Sequence, residues 1–207
     1  MSGKPVHSGH VGLIKIAASE CDQVKLYVSI SDRARPGEVV ILGADMQEIW
    51  TTELEKIMPR NVAITYGGSP IANAFKEIGE ASKEGSADTY VLYADDIDLQ
   101  QNFPDASLKK YAETLFAAGQ IEKRPVKRTE TVNVSGTKMR EYLSAGDSAS
   151  FIKNLPNGIN GKHVWSILHA RVKNPPQVKA TSKAKVPKKP VKSEQLIRSF
   201  VEETLKG

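Results

Sequence analysis

Two short stretches of the sequence contain residues whose types and spacing suit the binding of an anion. The first is His7-Ser8-Gly9-His10, which stands at the start of an apolar, helix-like run. Backbone N–H groups and the helix dipole favour an anion at such a position. Gly9 lets the backbone come close to a ligand, and the imidazoles can donate hydrogen bonds to a phosphate under attack. A metal site and a simple polar loop are the alternatives, although no Cys or acidic partner accompanies the histidines at ligand spacing.

The second stretch lies far downstream, at residues 132–143 (VNVSGTKMREYL). A short apolar run, typical of the end of a strand, is followed by Ser135, Gly136 and Thr137 and then by a helical pattern. The hydroxyl groups, the first N–H groups of that helix and Arg140 one turn further on predict a second anion cradle. The alternative is a capped surface helix with Ser135 or Thr137 as its N-cap.

The elements that must position these residues follow an alternating pattern up to about residue 170. Helical periodicity predicts helices over residues 11–18, 46–57 and 71–82, and largely apolar runs predict strands over 24–31, 62–66 and 89–94. Alternation of helices with buried strands is typical of the α/β class, with a parallel sheet covered by helices on both faces.

Composition limits the class of protein further. The chain has 207 residues, of which 40% are apolar and 26% charged, with one cysteine, Cys21. No apolar run approaches the ~20 residues that span a bilayer, and residues 1–15 lack the apolar core of a signal peptide. A lone cysteine fits a reducing compartment. We therefore expect a cytoplasmic protein with no membrane contact.

The net charge of +5 is unevenly distributed along the chain. Residues 171–207 hold ten Lys or Arg and three Glu, which is +7, so the other 170 residues carry −2. Residues 171–192 are rich in Lys and Pro and predict a disordered linker. Residues 193–207 predict an amphipathic helix that docks on a protein partner. Residues 1–170 form the predicted α/β domain.

Taken together and in this order, HSGH and VSGTKMR resemble the nucleotidylyltransferase superfamily of adenylyl- and cytidylyltransferases. That family carries H-x-G-H after its first strand and an I-S-S-T-x-x-R-like motif near the end of the domain. The stretches ILGADMQEIW, YGGSPIANAF, YVLYADDIDLQQNFP and NVSGTKMREYLSAGD are similar to members encoded by tailed bacteriophages. The resemblance covers about residues 1–168. It implies a Rossmann-like sheet and a protein of the host cytoplasm or the virion.

The resemblance also implies a reaction, in which NMP passes from an NTP (ATP or CTP) to a phosphorylated acceptor and pyrophosphate leaves. His7 and His10 would contact the triphosphate, with His10 stabilising the transition state. Gly9 would lie near the base or sugar. The Ser135–Thr137 segment and Arg140 would hold the β- and γ-phosphates, and Mg²⁺ would bridge phosphate oxygens without protein ligands.

Further candidates carry a weaker signal. Lys4 is a candidate phosphate contact. Asp32 and Arg33 follow the predicted strand over 24–31 and Asp95 follows the one over 89–94, at the edge of a parallel sheet where ligands bind. These three are candidates for binding the acceptor. A solvated acidic loop is the alternative for Asp95.

The family begins with a buried strand and a G-x-F-[DNQ]-P lead-in, of which only Pro5 agrees here. The true start lies upstream, another chain supplies the strand, or the chain is a degenerate relative kept for binding. Three functions therefore stay open. One is the transferase, and the second is a non-catalytic component of a larger phage assembly, docked through residues 193–207. The third is weak, salt-sensitive binding of nucleic acid by residues 171–192.

Overall fold

The computed structural model describes residues 4–127 and 134–173, which fall into two compact units. The first unit contains residues 4–68, 127 and 134–173, and the second contains residues 69–126. Both units combine helices with a parallel pair of strands. This confirms the predicted α/β class.

The described part of the chain forms nine α-helices, four strands and two irregular helical turns. In chain order they are α1 (Ser8–Glu20), β1 (Val24–Val28), α2 (Gly43–Ile49), a π-helical turn (Trp50–Leu54), a 3₁₀ turn (Glu55–Ile57), β2 (Val62–Tyr66), α3 (Pro70–Glu84), β3 (Tyr90–Ala94), α4 (Asp96–Asn102), α5 (Asp105–Tyr111), α6 (Glu113–Ala117), β4 (Ile121–Pro125), α7 (Gly136–Ala145), α8 (Ser148–Lys153) and α9 (Gly161–Lys173).

The strands pair in parallel within each unit. In the first unit β1 pairs with β2, with Leu26 opposite Ile64. In the second unit β3 pairs with β4, with Leu92 opposite Lys123. Within residues 4–127 and 134–173, no ladder joins one pair to the other. The structure thus shows two small parallel sheets, and the predicted single Rossmann-like sheet is not confirmed.

The core of the first unit is built by helix faces that pack on the β1–β2 sheet. In α1, Val11, Ile14 and Ala17 are buried at helical spacing, and this helix extends the predicted segment 11–18 in both directions. From α7, Met139 and Leu143 enter the same core. Burial of these apolar faces fixes the positions of the two helices that begin at the sequence motifs.

Close packing at the end of β1 sets the start of α2. A Cβ atom built on Gly43 would lie 1.5 Å from the carbonyl oxygen of Ile30, so no other residue fits without movement of the backbone. The Gly43 N–H donates to Oδ1 of Asp32 at 2.8 Å. The close approach of Gly43 to Ile30 and its hydrogen bond to Asp32 hold the loop that follows β1.

The second unit has its own apolar core, centred on α3. Ser69 caps α3 by accepting a hydrogen bond from the Ala72 N–H, and Pro70 occupies the first turn, as the Ser-Pro pair favours. Phe75 and Ile78 are buried, and the ring of Phe75 stacks on Phe103. The predicted helix over 71–82 is confirmed.

The predicted linker begins too early at residue 171. Helix α9 continues to Lys173, because Arg171 donates two hydrogen bonds of 2.8 Å to the carboxylate of the buried Asp45. The rest of the predicted linker, the terminal helix over 193–207 and the predicted strand end at residues 132 and 133 lie outside the described residues. Among the described helices, none has the length and hydropathy that a membrane crossing needs.

Candidate anion-binding site

The side chain of Arg140 links the second motif to the segment just before the first. Its Nη1 donates to the backbone carbonyl of Lys4 at 2.9 Å, although the two residues are 136 positions apart. Arg140 is 8% exposed. Burial and the charge of Arg33 lower the pKa of Arg140, and Glu38 opposes this shift. The hydrogen bond to Lys4 thus keeps the guanidinium close to the segment that leads into HSGH.

The N-terminus of α7 is organised by the residues that the sequence analysis selected. Ser135 is the N-cap, and its Oγ accepts from the Lys138 N–H at 3.1 Å. The Thr137 hydroxyl accepts from Nη2 of Arg140 at 2.9 Å. A Cβ on Gly136 would lie 3.3 Å from Arg140 Nη1, which is tighter than most contacts of that kind. Glycine at this position thus leaves room for the guanidinium.

Lys4 connects the first motif to the end of β1. Its ammonium donates to both the carbonyl and the hydroxyl of Ser31, and the residue is 7% exposed. Burial lowers the pKa of Lys4; Asp32 raises it and Arg33 lowers it further. The ammonium already has protein acceptors, so a phosphate contact would require the Lys4 side chain to move.

His7 and His10 stack on each other, with ring centroids 3.8 Å apart. The backbone N–H of His7 donates to Nδ1 of His10 at 3.2 Å. Because an amide N–H can only donate, Nδ1 of His10 is unprotonated and the neutral ring carries its proton on Nε2. Burial, together with the charge of His7, lowers the pKa of His10 to about 3. His10 is therefore a neutral donor through Nε2 at pH 7.

The N-terminus of α1 offers fewer N–H groups than the sequence suggested. Both the N–H and the Oγ of Ser8 donate to the carbonyl of Asn154, each at 3.0 Å. The His10 N–H donates to the carbonyl of His7 at 3.0 Å. The histidine rings, rather than a set of free amides, are the polar groups that distinguish this helix start.

A loop that follows β1 places a carboxylate against the second motif. Oε2 of Glu38 lies 2.8 Å from Nη2 of Arg33 and 3.2 Å from Nε of Arg140. Beside them is an open cleft of about 510 Å³, with Glu38 and Arg140 among its lining residues together with Thr137 and Ser144. The two histidines are not part of its lining. The cleft therefore belongs to the second motif and to the loop.

The other acceptor candidates occupy structural positions. Asp32 uses Oδ1 to accept from the Gly43 N–H. Asp95 lies in the second unit, where it caps α4 by accepting from the Asp98 N–H at 2.8 Å. Its carboxylate thus stabilises the N-terminus of α4. The interpretation of this segment as a solvated acidic loop did not include that role.

Comparison with known proteins adds no relative: no family model matches the chain, and no curated protein matches it. The resemblance of the motifs therefore stays a prediction, and the argument for function depends on the residues of the site.

Sequence reasoning missed Glu38, whose carboxylate contacts the guanidinium groups of Arg33 and Arg140. The available signal was the segment Arg33-Ala34-Arg35-Pro36-Gly37-Glu38, in which two arginines precede a Pro-Gly turn and an acid. Arg33 and Arg35 act on Arg140 as like charges, and Glu38 and Glu141 act on it as opposite charges. The arrangement can bind phosphate groups through guanidinium, hydroxyl and imidazole donors.

Proposed function

We propose that the protein is a nucleotidylyltransferase that transfers NMP from ATP or CTP to a phosphorylated acceptor and releases pyrophosphate. The observation that carries the proposal is the hydrogen bond of 2.9 Å between Arg140 and the Lys4 carbonyl. It brings the start of α7 next to the segment that leads into α1. The segment that leads into the first motif and the start of the second motif are thereby neighbours, although they are remote in sequence.

The donors suit different phosphates of the nucleotide. His10, with its proton on Nε2, would donate to an α-phosphate oxygen and stabilise the charge that develops there. His7 would assist from the stacked position, and Gly9 would lie beside the base or sugar. Thr137 and Arg140, at the wall of the cleft, would hold the β- and γ-phosphates.

The reaction needs no covalent intermediate with the protein. An oxygen of the acceptor phosphate attacks the α-phosphorus in line, the bond to the α–β bridging oxygen breaks, and that electron pair leaves with pyrophosphate. The protein positions both reactants and stabilises the charge of the transition state.

Mg²⁺ would enter with the nucleotide as the Mg–NTP complex. The guanidinium of Arg140 and the hydroxyls of Thr137 and Ser144 at the cleft suit phosphate oxygens, and Glu38 and Glu141 add carboxylates to the same lining. We assign the ion to the phosphates of the substrate.

The pairing of the strands supports a Rossmann-like arrangement as part of the proposal. Doubly wound sheets of this type have the order 3-2-1-4-5, in which strand 1 separates two outer pairs. Without strand 1, the pairs 2–3 and 4–5 are left. The parallel pairs β1–β2 and β3–β4 each agree with one of these outer pairs.

The same observation favours a second candidate function. Two separate two-stranded sheets are a small scaffold for catalysis, so the chain would instead serve as a binding or structural component of a larger phage assembly. Residues 193–207 would dock it on a protein partner. Nucleotide binding would then persist without transfer.

The test is pyrophosphate release from Mg–ATP, Mg–CTP, Mg–GTP and Mg–UTP, each against a panel of phosphorylated acceptors. His10→Gln should abolish release in a folded protein. His163→Gln is the matched control, because that imidazole contacts Glu53 at 2.9 Å and lies outside both sequence motifs. Release that requires one NTP and one acceptor, and that only the first variant loses, supports the transferase.

Silence across the panel from folded protein would contradict the transferase and favour the structural role. Deletion of residues 193–207 then separates the two further. A docking role predicts that the deletion abolishes co-purification with the assembly and leaves nucleotide binding unchanged. Loss of nucleotide binding in the deletion variant would contradict that role for the terminal segment.

A further inference from the structure

Glu38 occupies a position that suits a phosphate oxygen. A single oxygen, Oε2, accepts from Arg33 through Nε at 3.0 Å and lies 2.8 Å from its Nη2. The same oxygen lies 3.2 Å from Nε of Arg140. Two guanidinium groups that converge on one anionic oxygen are the donor set that proteins use for phosphate.

The carboxylate is delivered by a loop with a closed base. Arg33 and Ile41 form an antiparallel bridge, with N–H to carbonyl distances of 2.8 and 2.9 Å. At the tip, Gly37 has a φ of 76° and the Glu38 N–H donates to the Arg35 carbonyl at 3.0 Å, as in a type II turn with Pro-Gly at its centre. The turn therefore fixes where the Glu38 carboxylate stands.

The charges around Arg140 make that carboxylate important. Arg33 and Arg35 both act on Arg140 as like charges, and Glu38 is the acid in direct contact with it. The neighbouring acid, Glu141, forms an ion pair of 2.9 Å with Lys138. Without Glu38, the adjacent guanidinium groups of Arg33 and Arg140 would have no anion between them, which is electrostatically unfavourable.

We propose that Glu38 is a displaceable internal counter-ion that occupies the subsite for the terminal phosphates of the nucleotide. This inference rests on the proposed function of the same site. A ligand must replace the carboxylate on Arg33 and Arg140, so a densely charged di- or triphosphate competes well and a singly charged anion competes poorly. Glu38 is thus a specificity-determining residue rather than a catalytic one.

The test is the affinity of the full chain for inorganic tripolyphosphate, measured by calorimetry at fixed ionic strength and pH. Glu38→Gln should bind about fivefold more tightly, because the ligand no longer displaces a charged group from the two guanidiniums. Glu141→Gln is the matched control. It removes one negative charge from the wall of the same cleft and should change the affinity less than about twofold.

An equal gain in both variants would overturn the inference, since net charge alone would then account for it. No gain in Glu38→Gln, or no binding by either protein, would also overturn it. The affinity measurement and the assay of pyrophosphate release test the two proposals separately. Tighter binding without pyrophosphate release would uphold the inference and contradict the transferase, whereas release with unchanged affinity in Glu38→Gln would do the reverse.

Discussion

The guanidinium of Arg140 and the backbone carbonyl of Lys4 form a buried hydrogen bond of 2.9 Å that joins the second motif to the segment just before the first. The same side chain donates to Thr137 within α7 and contacts Glu38 in the loop after β1. One residue thus holds three segments of the first unit at the edge of the cleft. Its planar fork, which presents several donors in fixed directions, makes this possible.

Replacement of Arg140 by lysine tests that relationship. The variant keeps the charge but loses the fork, so the Lys4 carbonyl loses its partner in a buried position. We expect the free energy of unfolding to fall by about 2 kcal/mol, together with the affinity for tripolyphosphate. Urea denaturation measures the first effect and calorimetry the second.

Lys138→Gln provides the control for that experiment. Lys138 is an exposed neighbour on α7 that pairs with Glu141. Its loss should leave the urea midpoint nearly unchanged. An unchanged midpoint in Arg140→Lys would show that the contact with Lys4 is not needed for stability.

Gly43 should be among the least replaceable residues of the first unit. The Cβ of alanine would lie 1.5 Å from the Ile30 carbonyl oxygen, so the backbone itself must move. We expect Gly43→Ala to cost more than the ~1–3 kcal/mol of ordinary overpacking, measured by thermal or urea unfolding.

Gly146→Ala separates crowding from backbone conformation. Gly146 has a φ of 72°, and its Cβ would meet no atom within 4 Å. Only the left-handed conformation is then unfavourable, at about 1 kcal/mol. Equal losses in the two variants would contradict the packing argument for Gly43.

The strands and helices with clear apolar patterns could be predicted from the sequence. The strand over 62–66 is confirmed at its predicted bounds, because an apolar run follows the break at Pro59. The predicted strand over 24–31 is too long, since β1 ends at Val28. Beyond it, Ser29 and Ser31 hydrogen-bond to each other, and Lys4 binds Ser31. The contact between Lys4 and Ser31 joins residues 27 positions apart, so the sequence around Ser31 gives no local signal of it.

Other parts could not be read from local patterns. The segment Ile121–Pro125 (IEKRP) carries three charged residues and is a strand only because it pairs with β3. The extension of α9 depends on Asp45, which lies 126 positions from Arg171. In the candidate site, the helix starts were recognisable from Ser, Gly and His. Glu38 was not, because its role depends on a turn that brings it back to Arg140.

Ser135 should contribute both to stability and to anion binding. Its Oγ caps α7 by accepting from the Lys138 N–H. Ser135→Ala should lower the free energy of unfolding by about 1 kcal/mol and weaken binding of tripolyphosphate. Asp147→Ala is the comparison, because Asp147 caps α8 in the same way but lies outside the second motif. A fall of phosphate affinity in both variants would point to instability alone.

His10 should make the stability of the protein depend on pH in a defined window. Its pKa is lowered from 6.5 to about 3 in the folded state, by burial and by His7. Between these values the unfolded chain binds a proton that the folded chain does not. The stabilisation is therefore complete above pH 6.5 and is lost as the pH falls towards 3. For one proton the slope approaches about 1.4 kcal/mol per pH unit.

Urea denaturation at pH 7, 6, 5 and 4 measures this slope, with His10→Gln as the matched variant. Glutamine keeps an amide that can donate but has no group that titrates. The slope of stability against pH should therefore fall by up to about 1.4 kcal/mol per pH unit, which corresponds to one proton. The NMR signal of the His10 ring should also stay in its neutral position down to about pH 4. Equal slopes in the two proteins, or a ring that titrates near pH 6.5, would show that His10 is an ordinary solvated imidazole.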